Sequence, residues 1–282
     1  MKLFIIFIAT LLTLNASSFV WKISKNGSSL YLGGTIHVLK QSDYPLPLEF
    51  DAAYNDSDIL VLETDLAQTQ TPEFAQQIMQ NLVQSEGRTL RDDLSKKVYI
   101  QLKKRIASMG LDMNSIDRFK VSMVVLNLTV MELQKMGVSA QGVDAYYSAK
   151  AYEDVKKMLY LESVEDQMNL IASMGEGHED ELILQTLNDL DTLEHDMNKM
   201  TQLWRAGRAE ELYEFASRDF MLEFPELYEE ILLERNKNWL PQILDMFETK
   251  KIEYILVGSM HLVGPDGLLD LLRARGYKIE QL

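Results

Sequence analysis

The chain carries the same short pattern near both ends, an apolar run leading into Gly-x-x-His: SLYLGGTIH ending at His37 and EYILVGSMH ending at His261. A long stretch of different texture separates them, so a fold that uses both copies together must close its two ends onto each other. Only four histidines occur in the 282 residues, and two of them share this one context. The glycine before each, Gly34 and Gly258, is expected to let the backbone leave the strand through conformations closed to other residues and to permit close approach to a ligand.

The runs WKISKNGSSLYLGGTIHVL and DSDILVLETDL are rich in β-branched and apolar residues and read as strands, with a short helix in the polar segment around Pro45 and Pro47. From about Thr71 to Lys250 apolar residues recur every three to four positions, as in LRDDLSKKVYIQLKKRIASMG and ELYEEILLERNKNWLPQILDMF, which reads as helix. The methionines on such faces, as in SMVVLNLTVMELQKM, read as gap-filling core. Strand character returns in KIEYILVGSMH, followed by a helical LLDLLRARG and a short closing strand, YKIEQL. The fold class is therefore α/β: a sheet formed by the N- and C-terminal segments, with a large helical insertion over about 71–250, in a single domain spanning 19–282. With 46% apolar residues the chain can bury a full core.

The first stretch, MKLFIIFIATLLTLNASS, has one lysine, an apolar run from Leu3 to about Leu14, and small residues around Ala16 and Ser18. The run is shorter than the ~20 residues that cross a bilayer, so residues 1–18 read as a cleaved secretion signal. The mature protein is then expected in the periplasm or outside the cell, with no stable membrane span. The absence of cysteine removes disulfides, thiolate metal sites, a cysteine nucleophile and a lipoprotein tether. A net charge of -15 repels phosphate backbones and anionic headgroups, which argues against nucleic acid and leaves a peptide or small molecule as the expected partner.

Three polar residues end three apolar runs: His37, Glu63 after DILVL, and His261. If the runs are neighbouring parallel strands, all three side chains emerge at one edge of the sheet, where open α/β folds bind ligands. Two neutral imidazoles and a carboxylate form a ligand set for a divalent ion such as Zn, Mn or Co, with positions left for water. Such an ion lowers the pKa of bound water toward ~7 and polarises a carbonyl, which is hydrolytic chemistry. Against this stands the plainer reading that Glu63 caps the following helix and that a strand-end histidine is a core or capping residue. Asp65 is a reserve ligand or base. His178 and His195, in polar helical surroundings, are expected to face solvent; His178 is followed by Glu179 but by no second histidine three residues later, so the metalloprotease motif H-E-x-x-H is absent.

Arg235, in LLERNKNWL, is a further candidate. With Leu232, Leu233, Trp239 and Leu240 toward the core it turns elsewhere, to the acidic strand-end cluster, where it stabilises an oxyanion, clamps a carboxylate or forms a structural ion pair. Asp144 and Tyr147, in GVDAYY, form a weaker pair of candidates beside the simpler reading of a loop and helix start.

The paired turns GGTIH and GSMH with LETD between them, QGVDAYYSAKA followed by LESVEDQ, the helical LWRAGRAEELY, the ERNKNW segment and the closing VGSMHLVGPDGLLDLLRARGYKIEQL together resemble the TraB/GumN family, which includes the Tiki proteins and PrgY. The resemblance implies a scaffold shared with erythromycin esterases and ChaN-like haem-binding proteins. It also implies a Tiki-like metallopeptidase activity using Mn or Co, with His37, His261 and Glu63 carried over as the metal site. Unlike Tiki proteins, the sequence ends at GYKIEQL without a C-terminal membrane helix. The expectation is thus a secreted or periplasmic metal-dependent hydrolase. The alternatives are a metal-free, esterase-like hydrolase with a histidine base, and a non-catalytic protein that sequesters a peptide or haem.

Overall fold

The computed structural model describes residues 17–139 and 141–282. A hairpin opens the sheet: β1 (Val20–Lys25) and β2 (Ser28–Thr35) pair antiparallel across Asn26 and Gly27. Both turn residues have positive φ, 52° and 89°, the type I′ geometry whose twist suits paired strands and which favours Asn-Gly. There follow β3 (Leu39–Lys40), the helix Leu48–Asp56, β4 (Ile59–Leu62), β5 (Val138–Ser139), β6 (Lys157–Tyr160), β7 (Glu253–Gly258) and β8 (Lys278–Gln281). The main sheet runs β6-β4-β7-β2-β1-β8, and β3 pairs with β5 in a small second sheet.

Although β7 comes from the C-terminal part of the chain, it lies between β2 and β4 and is parallel to both. All six of its residues are buried, as expected of a strand covered on both faces. The two ends therefore close onto each other. One strand departs from expectation: β6, inside the stretch read as helical insertion, extends the sheet parallel to β4. Its four residues, KMLY, lie half exposed on an edge, too short a run for periodicity to reveal.

The helical stretch also divides between two cores. Leu102, Ile106, Val124 and Ile183 belong to a core of their own, whereas Tyr147, Trp204 and Trp239 pack into the core around the sheet. Trp204 Nε1 donates to the Gly34 carbonyl at 2.7 Å, tying the helical layer to the strand that carries His37. The expected secretion signal lies outside the described residues except for Ser17 and Ser18, and Ser18 N–H donates to the Leu282 carbonyl at 2.6 Å. No helix among the described residues is long and apolar enough to cross a membrane.

Candidate active site

Strand register brings the three strand-end residues together. Thr35 lies opposite Gly258, and Leu62 opposite Leu256, so the segments after β2, β4 and β7 leave the same sheet edge side by side. A Cβ placed on Gly258 would stand 3.4 Å from Glu63 Oε1, 3.4 Å from His37 Nε2 and 3.5 Å from His261 Cδ2. Gly258 is thus a gap around which the three side chains gather. Neither Gly34 nor Gly258 has a positive φ, so the conformational reason expected for these glycines does not apply. Space is the reason. At Gly34 a Cβ would come 2.5 Å from Phe19 Cδ1 and 3.1 Å from Ser259 Cα, so the first glycine serves packing and the second serves the site.

His261 is buried and fixed on both ring nitrogens. Asn236 donates its amide to the carbonyls of His261 and Asp266 at 3.1 and 3.0 Å, which turns its oxygen toward His261 Nδ1 at 2.8 Å. Arg235 Nη1 stands 3.0 Å from Nε2. A guanidinium only donates, so Nε2 accepts, Nδ1–H donates to Asn236, and the ring is neutral. Burial presses its pKa down, Glu63's charge opposes, and Arg235 and His37 add to the fall, to about 3.

Arg235 sits in the helix Glu234–Met246, just after a π-helical turn at Glu229–Leu233, an irregularity often found at functional sites. Its Nε and Nη2 clasp Glu162 at 3.1 and 2.7 Å, Nη2 also reaches Glu63 Oε2 at 2.5 Å, and Nη1 donates to the Ile231 carbonyl at 3.2 Å. One turn on, Trp239 stacks against the guanidinium at 4.6 Å, lies 4.4 Å from the His261 ring, and donates to Glu162 at 3.0 Å. Of the roles open to Arg235 in sequence, the structure displays the ion pair, with every donor group of the guanidinium engaged.

Glu63 is also buried. Its Oε1 accepts the Gly258 N–H at 2.6 Å and its Oε2 accepts from Gln167 at 3.3 Å. Burial alone would raise its pKa, but His261, His37, Arg235 and the Gly258 N–H push it down to about 2. A carboxylate held so acidic is a weak base.

His37 is the contrast, with its side chain 60% exposed and Nδ1 3.1 Å from Asp144 Oδ1. The protein around the ring opposes charging, but the Asp144 hydrogen bond and charge, with Glu63 behind, lift its pKa to about 9. Asp144 reaches it because Gly142 precedes the helix Val143–Glu153: a Cβ there would lie 2.2 Å from the His37 carbonyl carbon. Val143 N–H then donates to the Ile36 carbonyl at 3.1 Å.

The other candidates lie elsewhere. Asp65 caps its own turn, accepting from Ala67 N–H and Gln68. Tyr147 is core, with its hydroxyl on Asp51. His178 precedes the helix Glu179–Arg205, on which His195 is exposed. Glu162 and Gln167, and Thr35 and Thr64 of the cavity lining, are site residues that the sequence does not single out. For Glu162 a signal exists: like Glu63 it follows a short strand, but β6 lies in the stretch whose pattern reads as helix.

Between these groups lies a cavity of about 250 Å³ lined by Thr35, His37, Glu63, Thr64 and Asp144, with Leu62, Leu66 and Leu256 as its apolar wall. The Thr35 and Thr64 hydroxyls are buried and have no partner among the described residues. Leaving such groups unpaired costs about 1–3 kcal/mol each. As for a metal, the donors do not fit one as arranged. Arg235 takes the lone pair of His261 and one oxygen of Glu63, and among the described residues no group of three His, Asp or Glu side chains is placed to hold an ion.

The architecture is thus an α/β protein with a histidine and carboxylate cluster at the carboxyl edge of its parallel strands. The profile of the TraB/PrgY/gumN family matches residues 19–281, and the chain belongs to that family. It is 24% identical over 247 residues to the uncharacterized protein YbaP of Escherichia coli (strain K12), covering 86% of this chain and 87% of that one, and equally to YbaP of Shigella flexneri. No solved structure matches.

Proposed function

We propose that the protein is a hydrolase of peptide or ester bonds, acting in the periplasm or outside the cell, in which His37 moves the proton. The observation that carries this is the Asp144–His37 pair at the mouth of a cavity, with Nε2 turned toward Glu63. An acid on Nδ1 fixes the ring and supports the charge that Nε2 acquires, the arrangement general-base histidines use. Neutral His37 takes a proton from water as the oxygen attacks the carbonyl carbon. The imidazolium then returns that proton to the departing nitrogen or oxygen as the acyl bond breaks. Glu63, Arg235, Glu162 and His261 form the fixed polar wall beside it. A base must be unprotonated, so with a pKa of about 9 kcat/KM rises with pH up to that value.

A divalent ion (Mn, Co or Zn) is the second reading. It is favoured by the gap at Gly258, faced by His37 Nε2 and Glu63 Oε1, and it requires Arg235 to leave His261. Tag-free protein and its His37→Ala variant, incubated with peptide and p-nitrophenyl ester collections with and without chelator, separate the readings by mass spectrometry. Turnover that survives chelation and vanishes in the variant supports the histidine mechanism. Turnover lost with chelator and restored by the ion supports the metal. Stoichiometric retention of a peptide or haem without product would overturn hydrolysis in favour of sequestration.

A further inference from the structure

A groove of about 310 Å³ lies apart from the His37 cavity, between the segment that follows the helix Val164–Ser173 and the helical stretch that starts at Pro225. Leu182, Phe224 and Leu227 give it an apolar floor, and none of the three is fully buried. Its rim is acidic, with Glu176, Glu223, Glu226 and Glu230. Negative charge is in excess there. Lys120 stands 3.6 Å from Glu176 and His178 3.6 Å from Glu226, pairs open to solvent, while Glu223 and Glu230 have no ion-pair partner among the described residues. Glu226 and Glu230 are one helical turn apart, a spacing at which like charges repel. Burial first, and then the charges of Asp196 and Glu223, push the Asp189 carboxyl up against a hydrogen bond from Gln185. An apolar floor inside an uncompensated acidic rim complements a cationic ligand that also carries an apolar side chain.

Both walls of the groove run on to the active site. The helix Val164–Ser173 carries Gln167, which donates to Glu63, and the π-helical turn Glu229–Leu233 leads to Arg235. At ~1.5 Å per helical residue, Gln167 and Arg235 lie roughly 10 Å from the groove residues Ser173 and Glu230. About three residues of extended chain, at ~3.3 Å each, span that distance. We propose that the groove binds a basic segment of a peptide, with an apolar side chain on Leu182, Phe224 and Leu227 and lysine or arginine side chains on Glu223, Glu226 and Glu230. Its service as a substrate subsite rests on the hydrolase reading; the binding itself does not.

Tag-free His37→Ala protein, in which the proposed reaction is blocked, is titrated calorimetrically with the acetylated and amidated pentapeptide Lys-Leu-Phe-Lys-Lys. The same titration is run with its Gln-Leu-Phe-Gln-Gln and Glu-Leu-Phe-Glu-Glu counterparts, at low and high salt. Three further variants are made in that background: Glu226→Gln with Glu230→Gln, Phe224→Ala, and, as a control of equal charge change at exposed positions elsewhere, Glu153→Gln with Glu248→Gln. The lysine peptide should bind one to one, more tightly than the other two and less tightly at high salt. The groove pair should weaken it by about three- to tenfold, Phe224→Ala should weaken it as well, and the control pair should leave it unchanged, with the melting temperature of both glutamine pairs kept. No binding of the lysine peptide, equal binding of all three peptides, or equal losses in the groove and control pairs would overturn the proposal. With His37 restored, the groove pair should raise KM for lysine-containing peptides at unchanged kcat, and an unchanged KM ends the subsite role. Absence of any turnover in wild type defeats the hydrolase reading and leaves the groove to be decided by the titrations.

Discussion

His37 and His261 occupy the same sequence pattern and opposite environments. His37 stands at the solvent edge, paired with a carboxylate that favours its charge. His261 is enclosed by Trp239 and Asn236, and burial together with the Arg235 guanidinium opposes its charge. The glycines differ in the same way: Gly34 is crowded by Phe19, whereas Gly258 borders only site atoms. Repetition of a motif therefore fixed where two strands end, while the neighbours contributed by other segments fixed what each histidine does. In the proposed reaction the first exchanges protons with a ligand, while the second accepts from the Arg235 that also grips Glu63.

The largest way to break the contrast is Arg235→Met. It leaves Glu63 and Glu162 buried without their cation, and removing one partner of a buried pair costs about 3–5 kcal/mol. A urea midpoint close to wild type would show that the guanidinium does not organise this wall. Next comes the pair of glycines. Gly34→Ala forces a Cβ against Phe19 and the Ser259 backbone, an overpacking of about 1–3 kcal/mol. Gly258→Ala meets ordinary contacts and gains about 0.4–1 kcal/mol from a stiffer unfolded chain, so it is near neutral in thermal unfolding but crowds the cavity side of His37. Equal losses in both would erase the distinction. A smaller effect is expected from Asp144→Asn, which removes the charge supporting His37. Its titration falls from about 9 toward the ordinary 6.5, and that of His261 does not move.

Stability against pH sharpens the comparison further. His261 and Glu63 have folded values of about 3 and 2, below their ordinary 6.5 and 4.5. Their contributions are whole above the ordinary values and are lost as pH falls through the folded ones. His37 works in the other direction: its contribution is whole below 6.5 and is lost as pH rises through about 9. Unfolding free energy from these groups is therefore greatest near pH 6.5. Denaturant melts should show Asp144→Asn flattening the alkaline limb and sparing the acid limb.

The closure of the ends and the meeting of His37, Glu63 and His261 were legible because each lies beside a buried apolar strand, a signal local to the sequence. Asn26-Gly27 was an equally local hairpin signal, hidden inside what reads as one continuous strand run. Glu162 was obscured because β6 is short, half exposed and on an edge. The Asp144–His37 pair was not legible, since it depends on Gly142 bringing a helix start against a strand end from far along the chain. The turn of Arg235 toward Glu63 was legible from the apolar neighbours that face the core, whereas its second carboxylate, Glu162, was not.

The most direct measurement is a long-range ¹H–¹⁵N NMR titration of the His37 and His261 imidazoles. His37 should remain cationic through neutral pH and lose its proton near 9, while His261 stays a neutral Nδ1–H tautomer down to the acid limit of the fold. Two site histidines that titrate together near 6.5, or a His261 carrying its proton on Nε2, would contradict the divided roles proposed for this repeated motif.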